Sequence, residues 1–337
     1  MNQLAETTVR AAAVQFQGVV GDVAESVTRL ENMIDEAARN GASVIGVPEF
    51  ATSPLPFRPE AHRSVLPTDN AAADMFRSAA RRHGCYIGGS MLVADAGMIY
   101  NRYHLWEPDG RLHTHDKDLP TMWENAFYGP GHDDGFMETG MGRVGAAVCW
   151  ELIRAGTVRR LKSRVDVMMT GTHWWSMPEN WGAAVNGILG PLSQYNRYLS
   201  ENAPREFARR VGAPVLQASH CGPLRTDFML VPGLDVTVPY DTHYVGATQI
   251  VDADGSVLAE RHTHRGPGIV YAGIRLGAQD PVEPLETSFW IPRLPLAHRL
   301  YWHHQNACAK SYYRRIGLRA GLAAAGRAQP HDVGTSR

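Results

Sequence analysis

Apolar residues in this chain gather into short, nearly continuous runs, separated by stretches of helical period. Val9–Gln17 (VRAAAVQFQ) reads as a buried strand. A helix follows over Val23–Asn40, with Asp22 as N-cap, Glu25 three residues on, and Gly41 as the stop. Val23, Val27, Leu30, Ile34, Ala37 and Ala38 form its apolar stripe. A second strand, Ala42–Pro48 (ASVIGVP), ends at Glu49, and the three prolines of Phe50–Pro59 exclude regular structure after it. A helix around Asp69–His83 leads through Gly84 to a strand at Tyr86–Val93. The next strand, Ile99–Glu107, ends in the turn Pro108-Asp109-Gly110, so the pair reads as a hairpin-like unit.

Further strands are predicted at Arg143–Cys149, Asp166–Gly171 and Ala213–Ser219. Helices at Thr157–Lys162 and Ala203–Val211 separate them, the latter with Pro204 in its first turn. Tyr244–Val251, a turn at Asp252–Gly255, and Ile269–Ile274 close the regular part. Trp175–Tyr198 has no clean period and reads as a surface insertion or lid. Strand–helix–strand units alternating with hairpins, without a linker, indicate one mixed-sheet α/β domain. It is taken as residues 5–280, with 281–318 as an extension expected in oligomer packing and 319–337 as a flexible tail.

Composition changes the picture mainly by exclusion. With 33 basic and 34 acidic residues the net charge is -1, so no global field favours nucleic acid or an anionic membrane. No apolar stretch approaches the roughly 20 residues of a membrane span. The opening MNQLAETTVR lacks the order of a signal peptide, which gives the cytoplasm as the expected location. The four cysteines, at positions 85, 149, 221 and 308, form no CxxC pair, and they are expected to be reduced thiols.

Three charged or nucleophilic residues then stand out, each at the edge of an apolar segment. Glu49 closes ASVIGVP, Lys117 lies in HTHDKDLPT, and Cys149 ends RVGAAV before Trp150-Glu151. A carboxylate, an ammonium and a thiol at strand ends can build a hydrolase that needs no metal. Taken singly, each has an ordinary reading: a buried apolar thiol, a strand-end carboxylate, a solvated loop charge. In order along the chain, however, AAAVQF, VIGVPEF, HDKDLPT and GAAVCWE resemble the nitrilase superfamily of carbon–nitrogen hydrolases, over roughly residues 9–275. ATQIVDADGSVLAE is similar to that family's closing hairpin.

The resemblance implies a four-layer α-β-β-α sandwich that assembles as homodimers or larger homo-oligomers. It also implies Glu49 as general base, Lys117 as catalytic lysine, Cys149 as nucleophile, and Glu124, seven residues after the lysine, as a supporting glutamate. Trp150 N–H would be a second oxyanion donor. The expected chemistry is hydrolysis of a small amide or carbamoyl compound through a thioester, with no cofactor and no metal. Nitrile hydrolysis is the alternative, since Cys149-Trp150-Glu151 and Pro120–Glu124 resemble nitrilases proper. Asn125, where those enzymes usually carry arginine, and Leu152–Ala155, without their usual proline, depart from them. An inactive or acyl-transferring homologue acting as a binding protein is the reading from another class.

The histidine pairs 113/115, 262/264 and 303/304 show no metal-ligand spacing and read as surface or satisfied side chains. His173 and Trp174, after a strand expected beside that of Cys149, are either aromatic packing or a wall of the substrate pocket. His220-Cys221-Gly222 reads as structural.

Overall fold

In the computed structural model, which describes residues 8–285 and 287–328, the first apolar run forms strand β1 (Thr8–Phe16). Its side chains alternate between two buried layers, as the two-residue period of a strand dictates. Ala12, Val14 and Phe16 pack with helix α1 (Val23–Arg39), while Ala11 and Ala13 join the core between two halves of the sheet. Burial on both faces explains why the strand is apolar throughout.

Strands β2 (Val44–Gly46) and β3 (Leu66–Pro67), helix α2 (Ala71–His83), and strands β4 (Tyr86–Asp95), β5 (Met98–Trp106) and β6 (Leu112–Asp116) come next. They extend one half in the order β6-β5-β4-β2-β1, with α1 and α2 over its outer face. Strands β7 (Phe136–Thr139) and β8 (Gly142–Ala146), helix α3 (Ala155–Leu161), strand β9 (Val167–Thr172), helix α4 (Ala183–Val211) and strand β10 (Val215–His220) build the other half. Its order is β10-β9-β8-β7, and α3 and α4 cover it. The halves join where Gln15 and Phe16 pair in parallel with Ser219 and His220.

A hairpin of β11 (Pro223–Met229) and β12 (Thr237–His243) forms a small separate sheet. Strands β13 (Ala247–Val251) and β14 (Val257–His262) are the expected closing hairpin, and β15 (Gly268–Arg275) runs antiparallel along β1. Helix, sheet, sheet and helix thus stack as the anticipated α-β-β-α sandwich. Helices α5 (Leu296–Tyr312) and α6 (Leu318–Arg327) follow, joined by a π-helical turn at Tyr313–Gly317. No described helix is long and apolar enough to cross a membrane.

Several boundaries differ from the sequence reading. The Asp22 side chain does accept from Glu25 N–H, at 3.0 Å. In α2 the cap is Asn70, so the helix begins two residues later than expected. Trp175–Tyr198 is not irregular throughout: from Ala183 it is the largely exposed first part of α4, which runs unbroken to Val211 with Pro191 and Pro204 inside it. Each proline removes one helical hydrogen bond, and Gly187 and Gly190 add breakers, so the local signal is lost although the helix continues; its buried residues begin at Asn196. Residues 319–327, expected as a flexible tail, continue helix α6, whose Gly321, Ala324 and Ala325 are buried; 329–337 lie outside the described residues.

Candidate active site

Strands β2 and β10 run parallel on either side of β1, β4 continues the parallel set beyond β2, and β9 and β8 continue it beyond β10. The double antiparallel step β4-β5-β6 restores that direction in β6. Their C-terminal ends therefore open on one edge of the sandwich, the usual position for a ligand in such sheets. Glu49 lies just beyond β2, Lys117 beyond β6, Cys149 beyond β8 and His173 beyond β9. Close backbone approaches fix two of these ends. A Cβ on Gly171 would fall 2.3 Å from Glu49 N, so only glycine lets β9 pass behind Glu49. Gly131 N–H donates to Lys117 C=O at 2.8 Å, and a Cβ there would lie 2.0 Å from Asp116 O.

The side chains converge. Lys117 Nζ donates to Glu49 Oε1 and to Glu124 Oε2, each at 2.7 Å, and all three side chains are fully buried. Asn101 Nδ2 donates to the same Glu49 oxygen at 2.8 Å. Glu124 Oε2 also accepts from Tyr128 Oη at 2.5 Å and Thr121 N–H at 2.9 Å. The second carboxylate oxygens, Glu49 Oε2 and Glu124 Oε1, are buried without a hydrogen-bond partner. Cys149 is buried beside them, and Thr172 Oγ1 donates to its sulfur at 3.5 Å.

Charge and burial set the protonation states. Burial raises Glu49; Lys117 pulls it down, Glu124 pushes it up, and it comes to rest at about 7. For Lys117 burial opposes the charge, but Glu124 and then Glu49 outweigh it and hold the ammonium well above its ordinary value. Burial, and then the Glu49 carboxylate, raise the Cys149 thiol, so the resting sulfur carries its proton. A carboxylate that titrates near neutrality thus stands beside a protonated thiol and a permanent cation.

The backbone is strained at the same place. Of the five described non-glycine residues with positive φ, Phe50 (50°) follows Glu49, Met122 (53°) opens the turn that carries Glu124, and Cys149 itself has 55°. Each costs on the order of 1–3 kcal/mol, and such residues cluster where the surroundings over-determine a functional geometry. The strand expected to reach Cys149 instead stops at Ala146, and Cys149 opens a 3-10 turn, Cys149–Ile153.

A second buried network holds that turn, and sequence reading missed it. Glu151 accepts from Val148 N–H at 2.7 Å, Asp118 N–H at 3.1 Å and His115 Nε2 at 3.0 Å. His115 Nδ1 reaches Asp133 at 2.5 Å. Burial opposes the charge on His115, yet Glu151 and Asp133 together push it up to about 10, so both ring nitrogens donate. The Glu124 turn is tied down by helix α5: Asn306 Oδ1 accepts from Met122 N–H at 2.8 Å and from Asn125 Nδ2 at 2.9 Å. The extension expected in oligomer packing therefore braces the site within its own chain. Asn101, Thr121 and Tyr128 were also missed. They are ordinary polar residues in sequence: Thr121 and Tyr128 reach Glu124 within its own turn, and Asn101 reaches Glu49 from strand β5.

The predicted aromatic positions divide. Trp150 and Trp174, 5.6 Å apart between ring centroids, line a narrow cavity of about 10 Å³ together with Met122 and Trp175. His173 does not line it. Its Nε2 accepts from Leu55 N–H at 3.1 Å and lies 2.7 Å from Tyr244 Oη, and its ring is enclosed by Phe50, His220 and Tyr244. His173 thus sits in aromatic packing beside Phe50, the residue after Glu49. His220 is structural too, donating from Nε2 to Glu49 C=O at 2.6 Å. Of the paired histidines, His113 bonds Glu107 and His262 approaches Glu201.

Residues 10–282 match the sequence profile of the family described as Carbon-nitrogen hydrolase. A nitrilase of Penicillium rubens is 28% identical over 200 residues, covering 53% of this chain and 60% of the relative. An omega-amidase of Bos taurus is 31% identical over 158 residues, covering 43% and 56%. The matches thus span less than two thirds of these relatives' own length. Among solved structures, a CN-hydrolase superfamily protein of Xanthomonas campestris superposes with a TM-score of 0.60 at 20% identity, over 80% of this chain and 91% of that one. A variant of the amidase from Nesterenkonia sp. AN1 gives 0.57 at 18% identity, over 87% and 99%. These two likenesses establish the shared fold.

Proposed function

This chain belongs to the carbon–nitrogen hydrolase family, and on that premise we propose that it hydrolyses a small non-peptide amide or carbamoyl compound with Cys149 as nucleophile, Glu49 as acid–base group and Lys117 as electrostatic stabiliser. The observation that carries the reading is the buried Glu49–Lys117–Glu124 bridge beside a thiol in a strained turn.

Cys149 Sγ attacks the carbonyl carbon as its proton passes to Glu49 Oε2, the oxygen without a partner. Concerted transfer is required, because the resting thiol is not ionised. Lys117 has three N–H donors and spends two on carboxylates. The third, with Trp150 N–H, holds the oxyanion. The C–N bond breaks as Glu49 returns the proton to the departing nitrogen, leaving a thioester. Glu49 then takes a proton from water as the oxygen attacks, the C–S bond breaks, and the proton goes back to sulfur. Glu124 keeps Lys117 charged and in place.

The same site supports a second reading, nitrile hydrolysis, favoured by the similarity to relatives named nitrilase. A nitrile would pass through a thioimidate and need a proton on nitrogen before ammonia leaves. Buried Asn125, spent on Pro120 C=O, Met122 C=O and Asn306, stands where nitrilases proper usually carry arginine and supplies no charge, which favours the amide. Matched pairs carrying one side chain on an amide and on a nitrile test this by their kcat/KM ratio. Amides are expected to be faster. Nitriles faster by tenfold, about 1.4 kcal/mol of transition-state preference, would reverse the assignment.

Glu49 must be ionised to accept the thiol proton, so kcat/KM should rise with pH through a midpoint near 7. It should then stay level to about pH 9, because Lys117 remains charged well beyond that. Steady-state rates across pH 5–9 check this, and a profile already flat at pH 5 would remove Glu49 as the base.

A further inference from the structure

Behind the narrow cavity of Trp150 and Trp174 lies a wider groove of about 250 Å³ between the first turns of α4 and α5. Its surface is almost wholly apolar, formed by Trp181, Leu189, Leu192 and Phe228. Met177, His298 and Tyr301 line both spaces, so these three side chains stand between the groove and the space beside Trp150, at what would be the neck of the groove. An apolar cavity of about 150 Å³ already accepts benzene, so the groove has room for a ring and a short chain.

His298 is the odd residue in this wall. It is 1% exposed, and neither ring nitrogen has a hydrogen-bond partner among the described residues. Burial lowers its pKa, which makes it neutral. The Leu192 carbonyl draws the ring slightly the other way, without meeting hydrogen-bond geometry. A neutral imidazole has one N–H and one bare nitrogen. Even with the N–H turned towards Leu192, the bare nitrogen remains an acceptor without a donor, and a buried acceptor in that state is costly.

We propose that the substrate has an uncharged aryl or bulky alkyl body lying in the α4–α5 groove, and that His298 at the neck accepts a hydrogen bond from a hydroxyl or N–H carried between that body and the reacting carbon. The inference rests on the hydrolase reading above and names its substrate class: hydroxy- or amino-substituted arylalkyl amides, or the matching nitriles.

Binding can be measured without turnover in full-length Cys149→Ala protein, by quenching of tryptophan fluorescence with propanamide, phenylpropanamide and phenyllactamide. Phenylpropanamide should bind about tenfold tighter than propanamide, and phenyllactamide about tenfold tighter again. His298→Leu in the same background should erase the second gain and keep the first. Ala297→Trp, at an exposed groove position, should erase the first while leaving propanamide unchanged, and it serves if His298→Leu does not fold. Equal binding of propanamide and phenylpropanamide would overturn the groove. A hydroxyl gain that is absent, as when a water already satisfies His298, or that survives in His298→Leu, would overturn the role of the histidine. If the binding order holds while wild-type protein hydrolyses none of these amides or their nitriles, the hydrolase reading falls and the groove stands.

Discussion

Cys149→Ala is expected to abolish turnover, by at least about 10⁴-fold in kcat, while leaving the fold intact. The structural cost is small because one sulfur is removed from a packed site, comparable to deleting a methylene, roughly 1 kcal/mol. Alanine keeps a Cβ, so the left-handed backbone at 55° is no more strained than with cysteine. Val148 remains pinned through Glu151, which holds the turn independently of the thiol. Circular dichroism and urea unfolding should therefore match wild type within about that 1 kcal/mol, with no product formed. Cys149→Ser should be nearly as inactive, because an alcohol proton lies far above what a carboxylate titrating near 7 can take. Quenching wild-type protein during turnover should give an intact mass increased by one acyl group, mapped to Cys149. The other three free thiols, Cys85, Cys221 and Cys308, are buried elsewhere and should stay unmodified. An acyl group on any of them, or product from Cys149→Ala, would sink the assignment.

Glu49 and Cys149 were legible because each follows an apolar run that must release the chain at its end, whereas Lys117 follows the polar strand LHTHD and was legible through the HDKDLPT motif. Parallel direction then does the rest: β2, β6 and β8 run the same way in one sheet and bring their ends to one edge whatever lies between them. Glu124 was reachable through its short distance from Lys117, since the turn Met122–Ala126 is local. What escaped was chiefly set by tertiary contact, together with Thr121 and Tyr128, local to Glu124 but of ordinary residue type. Asn306 lies 184 residues from the Met122 N–H it accepts, and nothing in RLYWHHQNACAK marks it as a brace for a carboxylate. His115 looked like one half of a strand-period pair with His113. Only the fold shows that one is buried between two acids while the other bonds Glu107 near the surface. Helix α4 failed for a different reason: two prolines and two glycines carry a strong local message; packing overrides it at buried Pro204, while the helix runs on through Gly187, Gly190 and Pro191 in its largely exposed first half. The pattern of failure is physical. Partners recruited across the fold leave no signal in sequence, and a local partner such as Thr121 or Tyr128 leaves one only if its residue type is unusual for its place.

Lys117→Gln should be the most informative single change after loss of the nucleophile, because the lysine has two separable duties. As a stabiliser of the oxyanion it should be worth at least about 10²–10³ in kcat, the cost of removing one preorganised donor. As the cation between Glu49 and Glu124 it neutralises two carboxylates that have no access to water. Removing one partner of a buried ion pair typically costs about 3–5 kcal/mol. In the variant one of the two carboxyls must hold a proton, so its folded-state pKa is raised above the unfolded value. A group of that kind gives its full stability below the unfolded pKa and loses it as pH rises through the folded pKa. The stability deficit against wild type should therefore be large at pH 8 and shrink as pH is lowered towards 5. Urea unfolding at the two pH values measures that change. Activity should behave oppositely, since protonated Glu49 cannot act as the base: restoring stability at low pH must not restore turnover. A variant whose activity recovers together with its stability would show that Lys117 only holds the carboxylates apart, and that the oxyanion is stabilised by other groups.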